Sequence, residues 1–326
     1  MIIQVLIESL LVMAQKSRFD ASFFVFKHGE LITYFLVYVD DLLLTGNSSK
    51  LLHDFQSALS LRFSLKDLGF PSYFLGMEVL PTKFGLILNQ HKYLRDLLHR
   101  FDMVGSKALQ TLISTSTTLL PRDDFAPADA SLYRKIIGSL QYLNLTRPDV
   151  AFSIIKLSQY MQAPTQTHFL ALKRLLRYLK GTLQFGLILH KNSLLHLHAY
   201  CDSDWAGDLF DRHSTSAYIA YLGRNPISWA SRKQRTVARS STEAEYRAIA
   251  FTSAELCWLK HLLRELGVLS SRPPIIYTNN IAAFCACANP IFHSKMKHLA
   301  LDYQNKLQTI NYVFTTFPPP LSVLIS

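Results

Sequence analysis

The sequence is short of acidic residues and of cysteine. Its 23 Asp and Glu are outnumbered by 34 Lys and Arg, which leaves a net charge of +11 and a pI of about 9.4. This balance favours a polyanionic partner, nucleic acid ahead of a membrane surface, because basic side chains that neutralise phosphates release counterions. The four cysteines have neither zinc spacing nor the pattern of a disulfide framework, which fits a reducing compartment: they are Cys201, Cys257, Cys285 and Cys287.

A membrane-spanning run and a secretory signal are also missing. The opening stretch Met1–Ala14 is apolar, but it contains Gln4 and Glu8 and falls short of the ~20 residues that a spanning helix needs. It has no basic region at its start and no small-residue cleavage site. The sequence therefore predicts a protein of the cytoplasm or nucleus that is neither secreted nor membrane-bound.

Two kinds of enzyme site lack support. No Gly-x-Ser-x-Gly segment occurs, which disfavours a Ser-His-Asp hydrolase with a nucleophile elbow. His190, His196 and His198 are close in sequence, but no acidic or cysteine ligand accompanies them at zinc spacing. Apolar residues, in contrast, are plentiful: 49% of the 326 residues are hydrophobic and 17% are charged. This composition predicts a globular protein of about two domains.

The segment Leu31–Gly46 carries two adjacent acids between apolar runs. Leu31–Val39 is rich in β-branched and aromatic residues and Leu42–Thr45 is apolar again, which predicts a β-hairpin with Asp40 and Asp41 at its tip. At ~4 Å and an effective dielectric of ~20, neighbouring carboxylates repel by roughly 4 kcal/mol. A cation that lies between the acidic pair and a substrate phosphate would offset this repulsion and so explain why two acids stand together. The alternative is that Asp is simply a favoured turn residue.

The hairpin tip also resembles a known motif. Tyr38-Val39-Asp40-Asp41 resembles the metal-binding hairpin of reverse transcriptases, and the LLLTGN that follows resembles the copia-type branch of LTR retrotransposons. The resemblance implies RNA-directed DNA synthesis, with Asp40 as the principal ligand of Mg²⁺, or of Mn²⁺ in its place, and Asp41 beside it. Further segments match the family in order and spacing: they are Phe19–Phe24, Tyr73–Val79, Gly138–Leu143, Thr146–Asp149 and Arg177–Thr182.

The same resemblance predicts an incomplete polymerase site. In the family, the region upstream of the hairpin carries the nucleotide pocket and another metal-binding aspartate, and these do not fit into the residues before Asp40. Two-metal phosphoryl transfer needs carboxylates from separate strands. We therefore expect the chain to supply only one of those strands.

The segment Thr167–Gly181 is predicted to be the most basic helix. Its leucines form an apolar stripe, while Lys173, Arg177 and Lys180 lie together on another side. A solvated charged face is the alternative. The clustering of one sign of charge, in a chain already at +11, favours contact with phosphate.

From about Leu194 the pattern changes to strand, strand, strand, helix, strand, helix, helix, strand. This is the element order of a ribonuclease H-like fold. Ala199–Asp208 resembles the first-strand motif of the copia-type ribonuclease H. The resemblance makes Asp202, at the end of that strand, an expected metal ligand.

Two glutamates at the start of the next helix compete for a second ligand position. Ser240-x-x-Glu243 and Thr242-x-x-Glu245 both fit a capping box. On the helix, Glu245 shares a mainly apolar side that should face the sheet, whereas Glu243 lies over Arg247 on the other. Glu245 is therefore the expected metal ligand, in agreement with the family pattern, and a purely capping role is the alternative.

The chain departs from the family pattern at its later acids. Asn279 stands where the family usually has an Asp after the fourth strand. An amide keeps the shape and removes a charge, which is worth roughly 4 kcal/mol at ~4 Å and a dielectric of ~20. No acid follows Asp302, so the fourth carboxylate is expected to be absent. Lys295 and Lys297 resemble a basic segment of the family that we expect to touch the nucleic acid backbone.

Together these patterns predict an α/β chain, α+β overall. Residues 1–110 are expected to form a truncated reverse transcriptase palm and the start of a thumb, 111–193 thumb and connection helices, and 194–326 a C-terminally incomplete ribonuclease H-like domain with a mixed sheet. The expected partner is an RNA:DNA hybrid or another nucleic acid. We expect a retrotransposon-derived fragment that is catalytically defective by itself. A nucleic-acid-binding module without chemistry is the alternative.

Overall fold

A computed structural model of the chain describes residues 14–39, 41–61, 63, 65–114, 118–121, 123–268, 272–288 and 313–316. The chain divides into two compact units, one of residues 1–75 with 258–269 and one of residues 76–257 with 270–326. Of the residues expected to act, Asp40, Lys295 and Lys297 lie outside the described ranges. No helix in those ranges is long and apolar enough to cross a membrane. The expected domain boundaries near 110 and 193 stay a prediction.

The first unit is built on the predicted hairpin. Its antiparallel sheet has four strands in chain order: β1 (Gln15–Lys16), β2 (Phe23–His28), β3 (Leu31–Tyr38) and β4 (Asp41–Gly46). Tyr38 is the register partner of Asp41, so the chain turns where the sequence predicts.

Helix α1 (Ser49–Ser60) packs against this sheet. The Ser48 hydroxyl accepts from the Leu51 N–H and so caps the start of the helix. Phe55 is buried and its ring meets Phe35 of β3 edge-on, with the ring centroids 4.9 Å apart. The apolar stripe of this helix is therefore core packing.

The second unit begins with a small antiparallel sheet. Strand β6 (Met77–Thr82) pairs with β7 (Gly85–Asn89). The two-residue strand β5 (Tyr73–Phe74) precedes them, within the residue range of the first unit. A third partner, formed nearly a hundred residues later, was not predicted from the sequence. It is β8 (Gly186–His190), which pairs with β7.

The segment Tyr73–Val79, whose sequence alone predicts one strand, is interrupted in the structure. Leu75 and Gly76 have left-handed φ angles of 48° and 68°, which break the extended chain between β5 and β6. This conformation favours glycine at 76, and the missing Cβ leaves room for the Tyr142 ring.

Helices form the middle of the second unit. They share one core of buried side chains that includes Tyr133, Ile137 and Leu172. The predicted basic helix begins one residue earlier than expected, after a capping box. The helices are α2 (His91–Arg100), α3 (Ala130–Gln141), α4 (Ala151–Ser158) and α5 (Gln166–Gly181).

Arg147 is the buried centre of the turn between α3 and α4. Its guanidinium donates to both Asp149 oxygens, at 2.9 and 2.7 Å, and to the carbonyl and hydroxyl of Thr182, at 3.0 and 2.8 Å. It also lies 5.8 Å from the Tyr178 ring centroid and 5.4 Å from that of Phe185. The Arg147 guanidinium is only 2% exposed, and its charge is balanced by these hydrogen bonds. The bonds to Thr182 join this turn to the end of α5.

A five-stranded mixed sheet forms the last part of the second unit. Its strands are β9 (Leu197–Asp204), β10 (Thr215–Leu222), β11 (Asn225–Lys233), β12 (Ile275–Thr278) and β13 (Val313–Thr316). They lie in the order β11-β10-β9-β12-β13, with β9 antiparallel to β10, β10 antiparallel to β11, and β12 and β13 parallel to β9. Helix α6 (Ser241–Glu265) leads from β11 towards β12, and α7 (Ile281–Ala288) follows β12. The predicted mixed sheet is confirmed, and the order of the described elements agrees with the predicted ribonuclease H-like order. The second of the two helices predicted before the last strand would fall within residues 289–312, outside the described residues.

The last turns of α6 belong to the first unit. Trp258 Nε1 donates to the Phe19 carbonyl at 3.2 Å, and the His261 ring stacks on Phe19 with the centroids 5.2 Å apart. Lys27 Nζ donates to the Glu265 carbonyl at 2.9 Å, which satisfies an acceptor that the helix end leaves free. These hydrogen bonds join residues 238 and 239 positions apart, and the sequence did not predict them.

Candidate functional site

The hairpin tip of the first unit presents Asp41 to solvent. Asp41 is exposed at the start of β4, opposite Tyr38. Between them Val39 takes a left-handed φ of 47°, which a β-branched residue rarely adopts. The tip is therefore a strained turn of the kind found at functional sites. Because Asp40 lies outside the described residues, the metal-binding role of the pair stays a prediction.

Three predicted positions of the second unit come together. Asp202 lies near the end of β9, Asn279 directly follows β12, and Glu245 lies in the first turns of α6. The parallel pairing of β9 and β12 brings their carboxyl ends to one edge of the sheet. Asn279 Nδ2 donates to Asp202 Oδ1 at 3.0 Å, and the Ser203 N–H donates to Glu245 Oε1 at 3.2 Å. The fold thus joins residues that the sequence separates by more than 70 positions.

Glu245 is buried beside a second carboxylate. It is 5% exposed, and its Oε2 has no hydrogen-bond partner among the described residues. Burial, and then the charge of Asp202, raise the pKa of Glu245 to about 8. Without a cation, this carboxyl therefore holds a proton at neutral pH.

Replacing Glu245 by Gln is expected to change how stability depends on pH. The folded pKa of about 8 exceeds the ordinary value of 4.5, so folding takes up a proton between these pH values. The free energy of unfolding should fall as the pH rises from about 5 to 8, by at most about 1.4 kcal/mol per pH unit. The Glu245→Gln variant should lack this fall. Urea unfolding in EDTA across the range measures it, and parallel profiles for the two proteins would contradict the assignment.

The residues present do not fit a pair of divalent cations. Two carboxylates converge, but the third position is an amide that directs a hydrogen at Asp202 Oδ1, an oxygen that a cation would contact. In the described part of the chain, no group of three or more His, Cys, Asp or Glu is placed to hold a metal ion. Asn279 therefore brings no charge to this cluster, and its amide hydrogen occupies an oxygen of the predicted ligand Asp202.

Glu243 has the structural position that its helix face predicted. Its Oε1 pairs with Arg247 at 2.5 Å, one turn along the helix, and its Oε2 accepts from the Arg239 N–H at 3.0 Å. The Ser240 hydroxyl accepts from the Glu243 N–H at 3.1 Å and so caps α6. The prediction that Glu245, and not Glu243, faces the sheet is confirmed.

The basic residues predicted on α5 have partners inside the protein. Arg177 Nε donates to the Lys107 carbonyl at 2.6 Å, and Lys180 Nζ donates to two further carbonyls of the same loop. Lys173 Nζ lies 5.0 Å from the centroid of the Phe169 ring. Two of the three side chains thus hold a loop against the helix, and their contact with phosphate stays a prediction.

Another basic segment, which we did not single out from the sequence, lies near the acid pair. Three arginines there are exposed and form no ion pair with a described residue: Arg232 near the end of β11, and Arg235 and Arg239 between β11 and α6. Trp205 Nε1 donates to the Ala238 carbonyl at 3.1 Å, which holds this segment beside the end of β9. The signal was available, because residues 231–241, SRKQRTVARSS, contain four basic residues and no acid.

Known proteins resemble this chain in sequence, and a solved structure aligns with part of it. The family model for reverse transcriptase (RNA-dependent DNA polymerase) matches residues 4–115. The retrovirus-related Pol polyprotein from transposon RE1 of Arabidopsis thaliana is 50% identical over 293 residues, which are 89% of this chain and 20% of that protein. An uncharacterized mitochondrial protein of Arabidopsis thaliana is 47% identical over 231 residues, 69% of this chain and 93% of its own length. The crystal structure of LC11-RNase H1 with an RNA/DNA hybrid aligns with 38% of this chain and 86% of its own, at 15% identity and a TM-score of 0.26.

The alignment with the RE1 polyprotein extends over most of this chain. The chain nevertheless spans only about a fifth of that polyprotein's length. Its hairpin tetrad, its later motifs and the strand order of its last sheet agree with the same relationship. The chain therefore belongs to the copia-type retrotransposon Pol family, of which it carries a reverse transcriptase segment and a ribonuclease H-like segment.

Proposed function

We propose that this chain binds RNA:DNA hybrids around Asp202 and Glu245 and cleaves their RNA strand weakly or not at all. The observation that carries the proposal is the hydrogen bond from Asn279 to Asp202. An amide in the place of a third acid lowers the charge of the site and occupies a ligand oxygen. The chain would thus keep the surface with which a ribonuclease H binds its substrate, but it would bind divalent cations weakly.

Recognition in this proposal depends on charge. The net charge is +11, and three exposed arginines lie in the segment that leads into α6. A-form-like duplexes are held mainly through their phosphates and 2′-hydroxyls, and the arginine fork suits phosphate. Arg232, Arg235 and Arg239 are therefore the side chains that we assign to the hybrid backbone.

The rate of RNA hydrolysis is expected to be low at this site. A complete site of this class uses its carboxylates to hold Mg²⁺ or Mn²⁺ ions, which activate water and stabilise the leaving oxygen. Asp202 and Glu245 supply two of the charges, and the missing one is worth roughly 4 kcal/mol at ~4 Å and a dielectric of ~20. If that energy acts only on the transition state, the rate falls about a thousandfold.

RNA-directed DNA synthesis is assigned here to the longer polyprotein. Asp40 and Asp41 would supply the acids of one strand, with Asp40 as the principal ligand of Mg²⁺. The transfer also needs an acid from a second strand, and no group of metal-binding side chains surrounds Asp41 among the described residues. The hairpin of this chain is therefore one part of that site.

The nuclease assignment is tested with the purified chain and a hybrid labelled on its RNA strand. In Mg²⁺ and in Mn²⁺, cleavage is expected to stay at the level of the Glu245→Gln variant. Cleavage well above that variant would contradict the proposed defect.

Replacing Arg232, Arg235 and Arg239 together by Gln should weaken hybrid binding and its dependence on salt. Each lost phosphate contact is expected to lower the slope of log K against log salt by about 1, or about 3 for the triple variant. A matched control replaces three other exposed bases, Lys50, Lys66 and Lys83, by Gln. It has the same net charge and should keep the original slope. Equal slopes for both triple variants would show that only net charge matters.

A further inference from the structure

The loop between β9 and β10, residues 205–214, is braced by one buried acid. Asp208 is 8% exposed, and its Oδ2 accepts from Lys233 Nζ of β11 at 2.8 Å and from Lys156 Nζ of α4 at 3.3 Å. Its Oδ1 accepts from the Phe210 N–H at 3.0 Å. These charge-assisted bonds tie the loop to two other elements of the second unit.

The start of this loop is a tight turn that carries Trp205. Ala206 takes a left-handed φ of 52°, and its N–H donates to the Ser214 hydroxyl at 3.0 Å. Gly207 follows, and a Cβ at this position would collide with the Asp204 carboxylate. The backbone beside Trp205 is therefore held by its own hydrogen bonds and by close packing.

Trp205 is 51% exposed although its backbone and its polar edge are both fixed. Its Nε1 donates to the Ala238 carbonyl at 3.1 Å, so the polar edge of the indole is used inside the protein. Much of the apolar ring surface stays in water. An oriented aromatic side chain of this kind offers a large contact area and loses little side-chain entropy when a partner binds.

The surroundings of Trp205 combine apolar and basic side chains. Ala238, which accepts its hydrogen bond, stands between Val237, which is 47% exposed, and Arg239. Arg235 and Arg239 are both exposed. A nucleic acid strand alternates charged phosphates with less polar sugars and bases, so this combination complements a strand better than it complements an apolar protein surface.

This surface lies beside the two converging carboxylates. Trp205 follows Asp202 by three positions, and α6, which carries Glu245, begins soon after Arg239. A hybrid that is bound around the acid pair and held by the arginines would therefore pass Trp205.

We propose that the exposed face of Trp205 packs against the sugars of one hybrid strand, beside phosphates that Arg235 and Arg239 bind. The contact supplies a part of the affinity that does not depend on salt, because an indole releases no counterions. The proposal deepens the proposed function and rests on it, since it takes the hybrid to be bound around Asp202 and Glu245. It needs no divalent cation and is tested without one.

The test measures binding of a fluorescent RNA:DNA hybrid to the full chain by anisotropy, in EDTA and over a range of KCl concentrations. In Trp205→Leu the affinity is expected to fall about 10-fold at every salt concentration, with an unchanged slope of log K against log salt. Trp205→Phe keeps an aromatic face and lacks the Nε1–H, and it should bind within about threefold of the unaltered chain. Unchanged affinity in Trp205→Leu would overturn the contact.

The salt slope separates contact from support of the arginines. If Trp205 only held the basic segment through the Ala238 carbonyl, Trp205→Leu would lower the slope, as the triple arginine variant is expected to do. A lowered slope would therefore overturn the proposed contact.

Trp258 offers a matched control in another part of the chain. It is 38% exposed, and its Nε1 donates to a backbone carbonyl, that of Phe19, at 3.2 Å. Trp258→Leu thus removes an exposed indole and one hydrogen bond of the same kind, and it is expected to leave hybrid affinity unchanged. An equal loss of affinity in both Leu variants would point to general loosening of the fold and would overturn the proposal.

A direct readout uses the unaltered sequence labelled with 5-fluorotryptophan. The chain has three tryptophans, and single Trp→Phe changes assign their fluorine resonances. Addition of the hybrid is expected to shift the Trp205 resonance and to leave that of Trp258 in place. A Trp205 resonance that stays in place while anisotropy shows binding would overturn the contact and leave the proposed function intact. A resonance that moves with protein concentration and not with hybrid would assign this surface to contact between copies of the chain, which also overturns the proposal. Absence of hybrid binding by the unaltered chain would overturn the proposed function and the contact together.

Discussion

Replacing Asn279 by Asp is expected to raise the affinity of the Asp202 and Glu245 site for Mn²⁺ about a thousandfold and to produce measurable cleavage of hybrid RNA. The change adds a charge worth roughly 4 kcal/mol at ~4 Å and a dielectric of ~20. It also removes the N–H that now donates to Asp202 Oδ1 at 3.0 Å, so that this oxygen is free for a cation. Both effects are expected to strengthen the binding of a divalent cation.

The neighbouring residue offers a control for this prediction. Asn280 Oδ1 accepts from the Ala283 N–H at 2.8 Å and caps α7, and an Asp there would keep the cap. Asn280→Asp adds the same charge one position further along the chain, away from the Asp202 hydrogen bond. Mn²⁺ titration and hybrid cleavage should therefore separate the two variants clearly. Equal gains from both would mean that added charge, and not the position of the third acid, controls the site.

Replacing Arg147 by Met is expected to lower the free energy of unfolding of the second unit by about 3 to 5 kcal/mol. The guanidinium is 2% exposed and makes four hydrogen bonds, two to Asp149 and two to Thr182. Methionine would fill part of the space, but it would remove the cation from Asp149, which would keep only the Tyr178 hydroxyl at 2.9 Å. It would also remove a donor from the Thr182 carbonyl. Such a cost is large against the usual stability of a domain.

Urea unfolding followed by circular dichroism measures this loss, with Arg95→Met as the control. Arg95 lies 4.0 Å from Asp96 on α2, and both side chains are more than half exposed, so the control should cost about 0 to 1 kcal/mol. A loss for Arg147→Met no larger than that of the control would show that the buried network contributes little.

Local sequence patterns were sufficient for much of the fold. The two apolar runs on either side of the acidic pair predicted the hairpin of the first unit, and the pairing of Tyr38 with Asp41 agrees. The helix faces separated Glu245 from Glu243 before the contacts of either were known. These predictions succeeded because period and face depend only on residues a few positions apart.

The features that the sequence did not predict depend on distant residues. The carbonyls that accept from Arg177 and Lys180 lie 70 to 76 positions away in the sequence. In the sequence these side chains look available for phosphate, whereas in the fold they bond to a loop of the protein. The bond of Lys27 to the end of α6 has the same origin. Propensity and spacing carry no information about such pairs, because tertiary packing decides them.

A manganese soak of crystals of the unaltered chain tests the central claim most directly, because anomalous scattering would count the ions beside Asp202 and Glu245. With Asn279 in the third position, we expect no pair of ions there. Two well-occupied Mn²⁺ ions bridging these carboxylates would contradict the assignment of a defective ribonuclease H site.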